Sequence, residues 1–370
     1  MITTLTRILI AAVLVCLPLA ASAQGTITRP KKPSAKTATT TKKSKKKPQR
    51  RTESASKPSR PAEPQLTPEQ MFEKGRSSFD SKDYVRAFGL IRQAAENDYA
   101  EAQNWLGYMY KNGYGTEKDY AEAVRWYRKA ADAGHPKAQC NLGKSYYKGE
   151  GVEMNFREAV RWYRPAAEQG YAEAQNWLGY MYENGIGVPK DFGEAVKWYE
   201  KAAEQYHAKA QYNLGRMYEY GRGVVLSYDK AWNWYEKAAK YGSAAARQEF
   251  EILDERMRLY RDGCAAFNRD DYTEALRCLE EAANRNFSYA KNKLGLMYRN
   301  GQGVPRDCKK AVEWLENAAN QGDPNAPFNL GNMYENGEGV PRNLAEAHKW
   351  YKIAAERGSS SGRKALERLK

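Results

Sequence analysis

The dipeptide Leu-Gly recurs along this chain at a fixed interval. It occupies Leu106-Gly107, Leu142-Gly143, Leu178-Gly179, Leu214-Gly215, Leu294-Gly295 and Leu330-Gly331. Successive copies stand 36 residues apart within the first four and again between the last two. A period of about 20 to 50 residues is typical of stacked units that cannot bury their apolar faces alone. The repeat therefore predicts a stacked array and favours a binding scaffold over an enzyme.

Each unit contains two segments with helical spacing. In the first segment, helix A, Ala102, Leu106 and Tyr110 form a stripe at intervals of four residues. Gly107 lies beside this stripe and predicts the close approach of another helix. Gly113 follows, and it can adopt the positive φ angle with which many helices end.

The second segment, helix B, begins with a capping pattern. Asp119 can accept a hydrogen bond from the third amide of the helix, and Glu122 can reach back to the amide of Asp119. The same pattern recurs as Asn155 with Glu158, Asp191 with Glu194, and Asn343 with Glu346. Trp126 and Tyr127 follow on the predicted apolar face. We therefore predict two helices in every unit.

This frame resembles the Sel1-like repeat, a relative of the tetratricopeptide repeat. The resemblance covers roughly residues 100–357, where six units carry Leu-Gly, Gly-x-Gly and paired Ala. Departures are few: Pro165, Leu315 and Val225 replace the residues usual at their positions. The resemblance implies an all-α, right-handed solenoid of antiparallel helix pairs. It also implies that helix A lines a concave groove and that the protein is an adaptor for a protein or peptide partner.

Two shorter stretches lack the Gly-x-Gly loop and are similar to plain tetratricopeptide units. They begin at Gly75 and Gly263, and each reaches a Leu-Gly pair 31 residues later. Four Sel1-like units follow the first stretch and two follow the second, and a short segment that can cap an array ends each run. The sequence therefore predicts a first array over residues 67–256 and a second array over residues 257–370.

Residues 1–23 are typical of a secretory signal peptide. Arg7 precedes an apolar run of about 13 residues, which is too short to span a membrane. Ala21-Ser22-Ala23 matches the small residues of a cleavage site. Lipidation of Cys16 is disfavoured because the preceding Val15 is too large for such a site. We expect a mature protein that begins at Gln24, has no transmembrane span and is periplasmic or secreted.

Residues 24–66 are rich in Lys, Pro, Thr and Ser, and this composition predicts a disordered linker. The segment carries a net charge of +11, whereas residues 67–370 carry only +3 of the total of +15. Two interpretations remain open. The linker is either a solvated spacer or an adhesive segment for an anionic envelope surface or cell-wall polymer, centred on residues 42–47.

The cysteines of the mature chain are Cys140, Cys264, Cys278 and Cys308. Cys264 and Cys278 belong to one unit, and a disulfide between them is one interpretation for an exported protein. The alternative is that all four are small buried hydrophobes. Cys308 favours this alternative because other units hold Tyr or Phe at its position.

The sequence contains no recognisable catalytic constellation. His135, His207 and His348 lie in different units and lack a Cys or Asp at metal-ligand or nucleophile spacing. The Gly-x-Gly loops follow a helix rather than a strand, unlike phosphate-binding loops. We therefore predict no enzymatic activity, no cofactor and no metal, and nucleic acid is not a favoured partner.

Candidate partner contacts are the residues of helix A that vary while the frame stays constant. They are Tyr108, Lys111, Lys144, Tyr147, Tyr180, Tyr212, Arg216, Leu296 and Phe328. Tyr and Arg often carry binding energy at interfaces, so a groove that alternates aromatic and basic residues favours a peptide or an acidic protein segment. Two alternatives stay open: a merely solvated helix face, and a cell-wall or glycan-binding protein that uses the linker and the aromatic groove.

Overall fold

Antiparallel helix pairs follow one another along residues 66–369, the part of the chain that the computed structural model describes. The helices are α1 (Pro68–Asp80), α2 (Tyr84–Glu96), α3 (Ala100–Asn112), α4 (Tyr120–Asp132), α5 (Pro136–Lys148), α6 (Phe156–Glu168), α7 (Ala172–Asn184), α8 (Phe192–Glu204), α9 (Ala208–Tyr220), α10 (Tyr228–Lys240), α11 (Ala244–Asn268), α12 (Tyr272–Asn284), α13 (Ser288–Asn300), α14 (Cys308–Asn320), α15 (Ala326–Asn336), α16 (Leu344–Glu356) and α17 (Ser360–Arg368). No strand occurs within this range. The predicted signal peptide and the predicted linker, up to residue 65, lie outside the described residues.

The two helices of each unit approach closely at the glycine of Leu-Gly. A Cβ atom on Gly107 of α3 would lie 2.7 Å from Cδ1 of Tyr127 in α4. The same distance separates the equivalent positions of Gly179 and Tyr199. Tyr127 and Tyr199 are fully buried, so the aromatic ring fills the space that the absent side chain leaves. The prediction of an all-α solenoid of helix pairs is thereby confirmed.

The Gly-x-Gly loop joins the two helices and also contacts the preceding unit. Gly113 ends α3 in the left-handed conformation, with φ of 75°, as predicted. Gly115 also has a positive φ, and a Cβ atom there would overlap the carbonyl group of Tyr84 at the start of α2. The loop therefore requires glycine for two reasons, backbone conformation and close packing between units.

The predicted capping box of helix B forms only in part. Asp119 caps α4, and its side chain accepts hydrogen bonds from the amides of Ala121 and Glu122. Glu122 does not complete the box, because the amide of Asp119 donates to the carbonyl oxygen of Tyr110 at 3.0 Å. The Glu122 carboxylate pairs with Arg125 instead, at 3.1 Å. The bond to Tyr110 ties the loop to helix A, an arrangement that short-range capping rules do not anticipate.

The boundary predicted near residue 256 lies inside the 25-residue helix α11. The helix passes through Gly263, where a Cβ atom would lie 2.8 Å from Cγ of Leu279, so this glycine serves close packing and does not end the helix. Arg256 is buried within α11 and donates to Glu219 of α9 at 2.7 Å. Residues 244–256 therefore continue the stack into the following units, whereas α17 forms a separate helix after α16.

Candidate functional site

The A helices of successive units lie side by side. Asn141 of α5 donates to Oδ1 of Asn104 in α3 at 2.9 Å, and Asn213 of α9 donates to Asn176 of α7 at 3.0 Å. These bonds connect helices that belong to neighbouring units. We call the side chains of α3, α5, α7 and α9 that reach solvent, together with the residues that pack against them from the adjoining helix ends and loops, the helix A surface. It contains most of the candidate contacts named from the sequence.

Tyr108 belongs to a cluster of five rings on this surface, which we call the first aromatic cluster. Its members are Phe79, Tyr84, Trp105, Tyr108 and Tyr114. The ring centroids of Trp105 and Tyr108 are 5.9 Å apart, with an interplanar angle of 75°. Tyr108 is 39% exposed, so its ring is open to solvent although its neighbours hold it in place.

Tyr147 and Tyr180 belong to a second aromatic cluster, together with Phe156 and Trp177. The rings of Trp177 and Tyr180 are 5.9 Å apart at an angle of 86°, nearly as Trp105 and Tyr108 are arranged in the first cluster. The structure thus brings together two candidates that lie in different units. Tyr147 and Tyr180 were predicted from the sequence as partner contacts, whereas Trp105 and Trp177, which precede Leu-Gly in alternate units, were not.

A lysine from the next unit lies beside each cluster. The Nζ atom of Lys137 is 5.8 Å from the ring centroid of Trp105, and that of Lys209 is 5.5 Å from Trp177. Both lysines are exposed. Cation–π attraction of this kind contributes about 0.5–1 kcal/mol at exposed sites. Each cluster therefore combines a group of contacting aromatic rings with a neighbouring positive charge.

Two of the basic candidates form ion pairs within the array. Lys111 lies 2.6 Å from Oε2 of Glu150, and Lys144 lies 2.5 Å from Oε1 of Glu173. Burial opposes ionisation of Glu150 and Glu173, but the hydrogen bonds and charges of their lysine partners lower the pKa of both carboxyls below its usual range. These lysines therefore contact carboxylates of neighbouring units. The sequence predicted a groove that alternates aromatic and basic residues, but two of those basic residues already have partners within the array.

Arg216 makes a longer and weaker electrostatic contact than Lys111 and Lys144 do. Its Nη1 atom is 3.9 Å from Oε1 of Glu183, which is only 6% exposed and also accepts from the hydroxyl of Tyr199 at 2.8 Å. Arg222 approaches the same carboxylate oxygen at 3.5 Å. Arg216 is 35% exposed, so it remains partly accessible to a ligand.

Three ion pairs between units follow a common spacing that was not predicted from the sequence. The last turn of helix A pairs with the central residue of the Gly-x-Gly loop in the next unit, 39 residues later. The pairs are Lys111 with Glu150, Glu183 with Arg222, and Arg299 with Glu338. The sign of the charge is reversed in the second pair, whereas the chain has Tyr147 and the apolar Ile186 at the same spacing. Opposite signs at this interval are the sequence signal that identifies these contacts.

The remaining groove candidates are less open than predicted. Tyr212 packs on Tyr235 with ring centroids 5.8 Å apart, and Phe328 packs on Tyr351 at 5.7 Å. Both side chains are half-buried, and so is Leu296. Tyr212 and Phe328 pack on rings that lie outside the first and second aromatic clusters.

The described cysteines form no disulfide, and His135 serves as a helix cap. Cys264 and Cys278 are free thiols, so the disulfide considered from the sequence is not formed here. The neighbouring Gly263 is the residue that faces Cys278, because a Cβ atom on it would lie 3.2 Å from the Cβ of Cys278. His135 caps α5: its Nδ1 accepts from the amide of Ala138, so Nε2 carries the proton that is shared with Glu101.

No group of three or more His, Cys, Asp or Glu side chains within residues 66–369 is placed to hold a metal ion. In the same part of the chain, no helix combines the length and apolar character that crossing a membrane requires. The side chains that the structure places together on the helix A surface are aromatic rings and paired charges.

Helix pairs that stack without a strand, and that expose aromatic side chains along one surface, define a repeat scaffold. The Sel1 repeat model matches residues 70–99, 100–135, 136–171, 172–207, 208–243, 263–287, 288–323 and 324–359. The chain therefore belongs to the Sel1 repeat family, whose fold is generally a scaffold for protein–protein interaction. The two shorter stretches, predicted as plain tetratricopeptide units, also match this repeat.

Solved structures include similar Sel1 repeat proteins. A protective antigen of uropathogenic Escherichia coli is 34% identical, with 82% of this chain and 64% of that one covered and a TM-score of 0.48. A Sel1 repeat protein from Oxalobacter formigenes is 30% identical, with 77% and 96% covered and a TM-score of 0.44. Helicobacter pylori cysteine rich protein B is 27% identical, with 35% and 94% covered and a TM-score of 0.30. This chain thus spans less than two thirds of the first of these proteins. The comparison with curated proteins found no match.

Proposed function

We propose that this protein is an exported, non-enzymatic scaffold that binds a segment of a partner protein on its helix A surface. The observation that supports the proposal is the contrast between rings and charges on that surface. Tyr108 of the first aromatic cluster and Phe156 of the second are 39% and 37% exposed, whereas Lys111 and Lys144 are paired with carboxylates of the array. Aromatic side chains in fixed positions lose little conformational entropy on binding and are enriched among interface hot spots.

The proposal refines the partner expected from the sequence. An acidic segment attracted by a row of free cations is not supported, because two of those cations already have partners. A segment that packs apolar groups against the solvent-facing sides of the rings fits the surface better. Export rests on residues 1–23, whose apolar run and small-residue cleavage site are typical of a signal peptide. The periplasm or the cell exterior is therefore the proposed location.

Site-specific crosslinking in cells tests the proposed surface. A photoreactive benzoylphenylalanine replaces Tyr180 in one strain and Tyr206 in another. Tyr206 is the matched control because it is an aromatic residue, 65% exposed, in the turn between α8 and α9. We expect a protein adduct from position 180 and none from position 206. Equal adducts from both positions, or an adduct at position 180 that digests with cell-wall hydrolases, would contradict the proposal.

A further inference from the structure

The two aromatic clusters are copies of one site. The helix α3 segment over residues 100–112 and the helix α7 segment over residues 172–184 are identical except at Lys111 and Glu183. The second segment follows the first by 72 residues, which is two units. The unit between them has Asn141 and Lys144 in place of the Trp and Tyr, so the aromatic pair occurs in every second unit of this region.

Much of the surroundings also repeats, although the ring of Trp105 has Arg76 beside it and the ring of Trp177 is stacked on Tyr163. Trp105 and Trp177 each pack edge-to-face on a Tyr three residues later, at the same centroid distance of 5.9 Å. Lys137 and Lys209 are themselves 72 residues apart, and each lies beside its Trp. The preceding unit closes each site with further rings. Sequence identity, ring geometry and the adjacent charge all repeat together, so a chemical group that fits one site fits the other.

The spacing of the copies limits the ligand. The Asn104–Asn141 bond shows that neighbouring A helices contact each other, and packed helices lie about 8–10 Å apart. Two such steps, from α3 through α5 to α7, separate the sites by about 16–20 Å. A polyproline II helix advances about 3.1 Å per residue and has three residues per turn. Two residues six apart in such a peptide span about 19 Å and project from the same side.

We infer that the helix A surface binds an extended, proline-containing peptide at two equivalent sites, with its two proline anchors about six residues apart. This inference rests on the proposed function and specifies its ligand. Proline rings insert into aromatic-lined grooves, and the polyproline II conformation loses little entropy on binding. Lys137 and Lys209 favour an acidic residue beside each anchor and disfavour a basic one.

The ring geometry favours a peptide over a saccharide. Sugar rings stack on flat aromatic faces, whereas the Trp and Tyr rings of each site meet at 75° and 86°. Rings with centroids 5.9 Å apart at these angles are in edge-to-face contact, so each pair forms a corner and not a flat platform. A lysine of the next unit also lies beside each indole. A corner suits a compact proline ring better than the broad face of a saccharide.

Synthetic peptides test the two-site inference on the full mature chain. The main probe is a fluorescein-labelled peptide with two Asp-Pro pairs separated by four serines, which places the prolines six residues apart. A second peptide separates the pairs by one serine, and a third has a single pair. By fluorescence polarisation, we expect the first peptide to bind about tenfold more tightly than the other two, because its second anchor binds intramolecularly.

Variants then assign the two sites. Tyr108→Ala and Tyr180→Ala should each reduce the affinity of the first peptide to that of the single-pair peptide. Phe at either position should retain the affinity, and Tyr206→Ala should leave it unchanged. Thermal unfolding of each variant identifies any loss of folding. If an Ala variant does not fold, the Phe variants and the three peptides of different spacing still test whether both sites bind.

The possible failures are distinguishable. Binding that depends on only one of the two tyrosines, or that ignores the spacing, overturns the two-site inference but leaves the proposed function standing. Binding of no peptide, or displacement by soluble peptidoglycan fragments, overturns the assignment of a proline peptide. The crosslinking experiment at positions 180 and 206 then decides the proposed function independently.

Discussion

Asp323 is a buried carboxyl whose ionisation should weaken the fold at neutral pH. It lies between α14 and α15 and has no exposed surface. Its Oδ1 atom accepts hydrogen bonds from the amides of Asn325 and Ala326, each at 2.8 Å, but the buried Oδ2 atom has no hydrogen-bond partner. Burial raises the pKa of Asp323 from 3.8 to about 6, although the two amides and Arg357 oppose the rise.

The direction of the pH effect follows from this pKa. Because the pKa is higher in the folded state than in the unfolded state, the protonated carboxyl favours folding. Its contribution is fully present below about pH 4 and is lost as the pH rises through 6. A shift of about two units corresponds to about 3 kcal/mol in total. Roughly half of that, about 1.5 kcal/mol, should be recovered between pH 8 and pH 5.

Asp323→Asn removes the charge and retains an oxygen that can accept both amide hydrogen bonds. Urea unfolding followed by circular dichroism gives the free energy of unfolding of both proteins at pH 5, 6, 7 and 8. We expect the stability of the variant relative to the wild type to increase by about 1.5 kcal/mol from pH 5 to pH 8. Taking this difference removes the titration of all other groups.

Asp307→Asn is the matched control. Asp307 caps α14 with the same pair of amide hydrogen bonds, but its side chain is partly exposed. The free energy of unfolding of Asp307→Asn relative to the wild type should not increase from pH 5 to pH 8 as it does for Asp323→Asn. A relative stability of Asp323→Asn that is constant from pH 5 to pH 8 would refute the reasoning, because it would mean that Asp323 does not titrate in this range.

Three further predictions concern packing, pairing and export. Gly179→Leu should lower the free energy of unfolding by about 1–3 kcal/mol or more, because the new side chain overlaps the Tyr199 ring. Urea unfolding measures this change. An unchanged unfolding midpoint would show that the two helices separate without cost. Lys111→Glu should destabilise the array by about 1 kcal/mol, and adding Glu150→Lys should restore most of the lost stability. A double variant that is no more stable than Lys111→Glu alone would exclude direct pairing of the two side chains. Mass spectrometry of the protein recovered from cells should give a chain that begins at Gln24, whereas a chain that retains Met1 would contradict export by cleavage.

Most of the fold could be predicted from local sequence because each unit repeats the same short-range rules. The positive φ of Gly113, the helix cap at Asp119 and the close approach at Gly107 were all predicted from single units and are present in the structure. The residues that determine these features are close together in the chain or recur in every unit. The aromatic candidates Tyr108, Tyr147 and Tyr180 were named for the same reason, since they vary within a constant frame.

Contacts between units depended on tertiary structure. Lys111 and Lys144 were predicted as groove residues, but stacking brings carboxylates from later in the chain within 2.6 Å of them. The amide of Asp119 donates to the carbonyl of Tyr110 rather than to Glu122. The helix α11 runs through the boundary predicted near residue 256, where Arg256 is buried and donates to Glu219 of α9 at 2.7 Å.

The repeat by itself determined that helix pairs stack, since its period sets the backbone of each unit and the face that the unit must bury. Which side chains stay available on that surface was decided only when the units were stacked. Coulombic and aromatic contacts depend on distances of a few ångströms between side chains. Residues 39 positions apart, such as Lys111 and Glu150, or 33 apart, such as Tyr147 and Tyr180, acquire such distances only through the geometry of the array.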